Sequence, residues 1–375
     1  MKIAINTRFL LKDKLEGLGG VTYEITKRLV QNHPEHEFLF LFDRPYAEEF
    51  VFADNITPIK IFPPARHPFL FYLFYEWGIP PVIKKHNPDI FISMDNMTSI
   101  RAKCKKLLVM HDVAWRHYPE GVNKLVLKYY QHFTPKFLNT SDKIVSVSQY
   151  TKDDLIKQFN TASDKIDVIP NGCSTDFTPV TAPQQQAAQD KYAEGQPYFL
   201  YVGSIHPRKN IPRLLKAFEQ FKTTSSSPIK LVLGGRMAWK TGEVGEALEA
   251  MQHKKDVIFL GYVSDTELPQ LVGGAYASTY VSLFEGFGLP ILEAMYADVP
   301  SITSNISSMP EVAGDAGLLA DPTSVDSIAQ QMLKIWSKEG LRDQLIEKGR
   351  IQKQQFSWDR AAELYWESIE RTIAT

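Results

Sequence analysis

Short, unbroken apolar runs alternate with longer amphipathic stretches along the whole chain. In the first half the runs are Ile3 to Ile5, Phe38 to Phe42, Ile90 to Ile92, Leu107 to Met110, Ile144 to Val147 and Val168-Ile169. In the second half they are Tyr198 to Val202, Ile229 to Leu233, Val257 to Leu260, Ser278 to Val281 and Ser301 to Thr303. Most are continuous where a half-exposed strand would alternate, which predicts parallel strands covered on both faces. Between them, stretches such as Val21 to Val30, with Ile25 and Leu29 four apart, predict helices that turn one face to a sheet. Strand–helix–strand repetition on this scale predicts an α/β protein with doubly wound parallel sheets.

The pattern is interrupted once. Thr178 to Gln196 carries two prolines, Gln184 to Gln186 and a glycine, with few large apolar residues, and a fresh strand begins at Tyr198. Residues 179–196 therefore read as a linker between two Rossmann-like halves facing a cleft. The first half spans 1–178 and the second 197–355. The last stretch, 356–375, places Trp358, Leu364, Tyr365, Trp366 and Ile369 on an otherwise charged helix. Such a helix needs a surface to cover, and a return onto the first half supplies one.

Composition narrows the class. A chain of 375 residues, 44% hydrophobic and 23% charged, has the make-up of a globular protein and the length for two cores. The formal net charge of -1 gives no field to collect nucleic acid. Cys104 and Cys173 cannot staple a chain of this length, and they read as reduced thiols of a cytoplasmic protein. Pro68 to Trp77 is the most apolar segment, but Glu76 breaks it and it is too short to span a bilayer. It is the surface through which the protein could touch the inner face of a membrane; packing inside the first domain is the plainer reading.

Candidate chemistry begins with absences. No G-x-x-x-x-G-K-[ST] loop occurs, and Gly286-Phe287-Gly288 lacks the third glycine of a dinucleotide fingerprint, because Ile291 stands there. With no H-E-x-x-H and no D-x-D, neither a metal nor another cofactor is expected. The strongest positive signal runs from Phe284 to Met295. Two glycines, Gly286 and Gly288, precede Leu289 and a helix-starting Pro290, with Glu285 in the loop and Glu293 in the helix. Glycines let backbone approach a ligand, and N–H groups at a helix start suit phosphate. A second signal, Gly203-Ser204 followed by Arg208-Lys209, comes after the first strand of the second half. It reads as a diphosphate clamp: a planar fork beside a point charge at the carboxyl end of a strand.

On these residues the chain resembles a retaining glycosyltransferase of family 4, the group-1 glycosyl transferases, over nearly its whole length. The E-x7-E element of Glu285 and Glu293 is the most specific likeness. Gly-Ser followed by Pro-Arg-Lys-Asn, and Ile302 to Leu319 with Ser307-Ser308-Met309-Pro310-Glu311, are also similar to the family. The resemblance implies a GT-B fold, Arg208 and Lys209 on the donor diphosphate, and Glu293 on the ribose. It implies Glu285 and the amides of Phe287 to Leu289 on the donor sugar and phosphate. His111, at a strand end before Asp112, is similar to the family's active-site histidine. Gly19-Gly20 resembles the glycine turn before the first helix, where backbone nears the donor phosphate, and Asn171-Gly172 resembles the family's turn at the domain junction. Two positions depart from the pattern: Asp298 stands where many members have glycine, and Ser204 where some have arginine.

What the resemblance implies is hexose transfer from a nucleotide sugar, with the anomeric configuration retained and no metal. Arg208, Lys209 and the helix amides would meet the charge on the leaving phosphate while His111 positions sugar or acceptor. The likeness to mannosyltransferases of bacterial surface-polysaccharide assembly points to GDP-mannose first and a UDP-hexose second. A saccharide or lipid-linked saccharide would accept the sugar. A GT-B nucleotide-sugar epimerase, a non-catalytic nucleotide-sugar-binding module and a membrane scaffold are the alternatives.

Overall fold

The structure is a computed structural model that describes residues 1–12, 15, 17–236 and 242–374. It contains two compact units, Met1–Gly172 with Trp358–Thr375, and Cys173–Ser357. In the first unit the strands are β1 (Lys2–Asn6), β2 (Glu37–Phe42), β3 (Ile56–Lys60), β4 (Ile90–Ser93), β5 (Lys105–Met110), β6 (Lys143–Ser146) and β7 (Ile166–Val168). They form one sheet in the order β3-β2-β1-β4-β5-β6-β7, every pair parallel. The second unit holds β8 (Tyr198–Val202), β9 (Lys230–Gly234), β10 (Val257–Gly261), β11 (Ala277–Tyr280), β12 (Ser301–Ser304) and β13 (Gly317–Ala320). Their order is β10-β9-β8-β11-β12-β13, again all parallel.

The apolar runs explain the centre of each sheet. Ile3 to Ile5, Phe38 to Phe42 and Tyr198 to Tyr201 are almost wholly inaccessible, as strands covered on both faces must be. Full burial of each such side chain contributes about 1.5–3 kcal/mol. In both sheets the winding direction reverses beside the first strand, between β1 and β4 and between β8 and β11. That reversal leaves a crevice at the carboxyl ends of the strands, where sheets of this kind bind ligands.

The sequence reading missed β3 and β13 and put β7 late. All three are edge strands. An edge strand buries less of itself and tolerates breakers, and β3 carries Pro58 within it.

Residues 179–196 are not a linker. Ala182–Ala193 is a helix of the second unit, with Pro183 in its first turn and Gln184 Oε1 accepting from Thr181 N at 2.8 Å. Its buried face is Ala188, Tyr192 and Ala193, and Gly274 lies so close that an added Cβ would come within 2.3 Å of Ala188 Cβ. Close packing through alanine and glycine needs no large apolar side chains, so the helix left no strong periodic signal.

Gly19 and Gly20 lie inside the first turn of the helix Leu18–Asn32, where the likeness expected a turn before it. The left-handed residue is Gly17, at φ +54°. The helix Trp358–Ala374 belongs to the first unit. There Trp366 stacks on His33 at 3.4 Å, and Ser368 Oγ donates to Asp167 at 2.7 Å. The Pro68 to Trp77 segment divides. Phe74, Tyr75 and Glu76 are buried, and the Glu76 carboxylate accepts from the amides of Ile100 and Arg101 at 2.8 and 3.1 Å. Phe69 and Trp77 remain exposed. Among the described residues no helix is long and apolar enough to cross a membrane.

Candidate functional site

β8 and β11 flank the reversal point of the second sheet, and the chain leaving each carries the candidate residues. After β8, Gly203 takes φ +149°, and Gly235 of the neighbouring loop comes so near that a Cβ there would sit 1.8 Å from Gly203 O. Only glycines allow the two loops to touch backbone to backbone. The short turn Pro207–Lys209 follows. It is tied to the segment after β11 by Leu283 N donating to Arg208 O at 2.8 Å and by Asn210 Nδ2 donating to Val281 O at 3.0 Å. After β11 the loop runs to Gly288, at φ +113°, and into the helix Leu289–Tyr296.

These ties bring Arg208, Lys209 and Glu285 together. Arg208 Nη1 lies 2.8 Å from Glu285 Oε2, and Lys209 Nζ lies 2.6 Å from Glu285 Oε1. Tyr280, at the end of β11, completes the group: its hydroxyl accepts from Lys209 Nζ at 2.5 Å and donates to Glu285 Oε1 at 3.0 Å. Lys209 is 8% and Glu285 7% exposed, so neither is a solvated loop charge. Burial alone would push the Glu285 carboxyl up, but Lys209 and Arg208 overcome it and hold it at about 2. The loop backbone is fixed from the third side. Glu285 N donates to Ser307 Oγ at 3.2 Å, and Ser308 Oγ donates to the carbonyls of Glu285 and Phe287 at 2.9 and 2.8 Å.

Glu293 is in a different electrostatic state. Half-buried on the helix, it is pushed up to about 7 by burial first and by the charge of Asp265 second. Phe287 is buried, and the Ser204 carbonyl accepts from Tyr201 Oη at 3.1 Å while the residue itself is exposed. Asp298 adopts φ +56° in the place where the likeness expected glycine, and Arg350 pairs with its carboxylate at 2.6 Å. Aspartate tolerates that conformation better than most residues.

Gly19, Gly20 and His111 belong to the other unit. His111 follows β5, and its Nε2–H donates to the Met94 carbonyl at 2.8 Å, which leaves Nδ1 with the lone pair. Burial lowers its pKa, so the ring is neutral at pH 7. Sequence reasoning missed Tyr280, whose only signal was its place at a strand end five residues before Glu285. It also missed a buried group at the reversal point of the first sheet. There Arg8 pairs with Asp95, and Tyr75 Oη donates to Asp95 Oδ2 at 2.5 Å while Asn6 Nδ2 donates to the same oxygen at 3.0 Å. Its signal was Asn6-Thr7-Arg8, polar residues at the end of a buried strand and directly after it.

The two carboxyls should therefore respond to pH in opposite ways. Glu285 is depressed, so its contribution to stability is present above about pH 4.5 and is lost as pH falls towards 2. The parent should exceed Glu285→Gln by on the order of 3 kcal/mol at neutral pH, the gap closing in acid. Glu293 is raised, so it costs stability as pH rises from about 4.5 through 7. Glu293→Gln should gain on the parent between pH 5 and pH 8 in denaturant unfolding. Parallel pH dependence of the two variants would contradict both assignments.

Comparison with known proteins agrees with this architecture. The family described as glycosyl transferases group 1 matches residues 184–352, and the one described as glycosyltransferase family 4 matches residues 15–177. The O-antigen chain mannosyltransferase B of Escherichia coli is 34% identical over 256 residues, which cover 68% of this chain and 67% of that protein. The O-antigen chain mannosyltransferase RfbU of Salmonella typhimurium is 29% identical over 68% of this chain and 67% of its own. The crystal structure of Anabaena HepE in complex with UDP and glucose superposes with a TM-score of 0.76 at 14% identity, covering 98% of this chain and 99% of that one. Two parallel Rossmann-like sheets and these matches together establish that the chain belongs to the group-1, family 4 glycosyltransferases of GT-B fold.

Proposed function

We propose that this glycosyltransferase moves a hexose, mannose first, from a nucleotide sugar to a saccharide or lipid-linked saccharide, retaining configuration and needing no metal. GDP-mannose is the first donor and a UDP-hexose the second. The observation that carries the reading is the buried group of Arg208, Lys209 and Glu285 at the reversal point of the second sheet. Two cations and one carboxylate leave a net positive charge beside a helix start, which suits a diphosphate. Two relatives that are O-antigen chain mannosyltransferases favour mannose. The HepE complex with UDP and glucose keeps the second donor in view.

As the bond from the sugar to the diphosphate breaks, negative charge grows on the leaving phosphate. Arg208 and Lys209 would meet it from positions beside the site in which Glu285 already holds them. Glu285 would hold a sugar hydroxyl, and Glu293 the ribose, a part of the donor that does not change in the reaction. Gly203, Ser204, Gly286, Phe287, Gly288 and Leu289 would line the donor, and Gly19 and Gly20 are the glycines of the first unit whose likeness is to a donor-phosphate turn. His111, neutral and with its Nδ1 lone pair available, suits a positioning role towards sugar or acceptor. An epimerase would release nucleotide without an acceptor, so acceptor-dependent release separates the two activities.

The reading also assigns the protein to the cytoplasm, at the inner face of the membrane. Contact there would rest on Phe62, Phe69 and Trp77, at 80%, 65% and 58% exposed, and not on the whole Pro68 to Trp77 segment. Arg101 lies 4.4 Å over the Trp77 ring, and exposed Lys60, Arg66, Lys84 and Lys85 flank these aromatics along the chain. Aromatic and basic groups together suit an anionic lipid surface.

Arg208→Ala and Lys209→Ala should each weaken nucleoside-diphosphate binding by about tenfold or more, the scale of one charge-assisted contact. Calorimetry reads this directly, and parent-like affinity in both variants would sink the clamp. Turnover of GDP-mannose should be equal in excess EDTA and in magnesium; a strict divalent requirement would overturn the metal-free reading. Replacing Phe62, Phe69 and Trp77 together by serine should reduce co-sedimentation with phosphatidylglycerol-containing vesicles by about tenfold. Undiminished sedimentation would remove the assigned contact.

A further inference from the structure

Tyr280 has no part in the chemistry described so far, yet it touches two of the charged residues that do, Lys209 and Glu285. It is 3% exposed, and its ring stacks on Tyr201 of the neighbouring strand β8 at 6.0 Å and 15°. Lys209 Nζ lies 4.9 Å from the ring centre and 2.5 Å from the hydroxyl oxygen. The direction of both hydrogen bonds is fixed by chemistry. An ammonium can only donate and an ionised carboxylate can only accept, so the Tyr280 oxygen accepts from Lys209 and its proton goes to Glu285. Lys209 Nζ, Glu285 Oε1 and Tyr280 Oη thus close a triangle with sides of 2.6, 3.0 and 2.5 Å.

That triangle matters once an anion arrives. Arg208 and Lys209 now serve Glu285, and a diphosphate would draw on the same two cations. A buried carboxylate losing its share of both would shift or take up a proton unless another donor held it. Tyr280 is such a donor, and burial keeps its hydroxyl protonated by raising its pKa well above the ordinary phenol value. We propose that Tyr280 is a positioning residue of the donor site, its hydroxyl fixing Lys209 and Glu285 relative to each other while the cations turn to phosphate. The claim rests on the donor-site reading above. It adds a residue that acts only through its two neighbours.

Tyr280→Phe keeps the ring, the Tyr201 stack and the cation over the ring, and removes only the hydroxyl. With GDP-mannose as donor, kcat should fall about tenfold while affinity for the bare nucleoside diphosphate stays within about threefold. A hydroxyl with a merely structural role would lower the melting temperature and leave kcat within about twofold of the parent, and that result overturns the proposal. A double-mutant cycle sharpens the test. In a Glu285→Gln background, Tyr280→Phe should cost less than about threefold further, whereas additive losses would also overturn it. If the Phe variant does not fold, a fluorinated tyrosine at 280 keeps the hydroxyl and alters its acidity; an unchanged kcat then counts against the proposal. Parent-like nucleotide affinity in Arg208→Ala and Lys209→Ala would fail the donor-site reading itself. Failure of the Tyr280 variants alone removes only the positioning claim.

Discussion

A carboxylate taken out of water is costly unless cations stand beside it, and Glu285 has one on each oxygen. Much of the second unit's local architecture follows from meeting that condition. The turn after β8 must deliver Arg208 and Lys209 to the loop after β11; Asn210 holds the two segments together through Val281 and ties them to Pro322 after β13. Ser308 fixes the loop from the far side through two carbonyls. Gly288 can turn the chain into its helix because φ +113° is open to glycine. The result is a set of charges ordered before any ligand is present, which is the requirement for stabilising charge as it forms.

The two units repeat one topological idea with different contents. Each sheet reverses its winding beside its first strand, and each places buried charge at the carboxyl end of the strands there. In the second unit the group carries two cations for one carboxylate. In the first, Arg8 and Asp95 pair one to one, with Tyr75, Asn6 and Ser93 around them. A balanced pair sealed by aromatic rings has no surplus charge for an anion, so the same position in the fold locks the segment holding Tyr75 onto its sheet. Fold alone does not decide what such a crevice does; the charges in it do.

How much of this was legible in the chain follows from how strongly each feature is buried. Central strands such as Phe38 to Phe42 and Tyr198 to Val202 announce themselves because both faces are covered. Edge strands β3 and β13 do not, since one flank needs no partner and Pro58 can sit in the strand. Residues 182–193 were misread because their helix packs through Ala188 against Gly274, a contact that leaves few large apolar residues to count. Arg208, Lys209, Glu285 and Glu293 stood out by spacing around glycines. That Glu285 pairs with both cations, and that Tyr280 joins Lys209, depends on contacts more than 70 residues apart in sequence, which spacing does not encode.

The central claim is that Glu285 and the donor's diphosphate draw on the same two cations. Calorimetry of nucleoside-diphosphate binding to Glu285→Gln tests it most directly. Removing the carboxylate charge releases Arg208 and Lys209, so the variant should bind the bare nucleotide at least as tightly as the parent. A loss of about tenfold or more, matching that of Lys209→Ala, would mean that Glu285 holds the nucleotide itself, and would contradict the account.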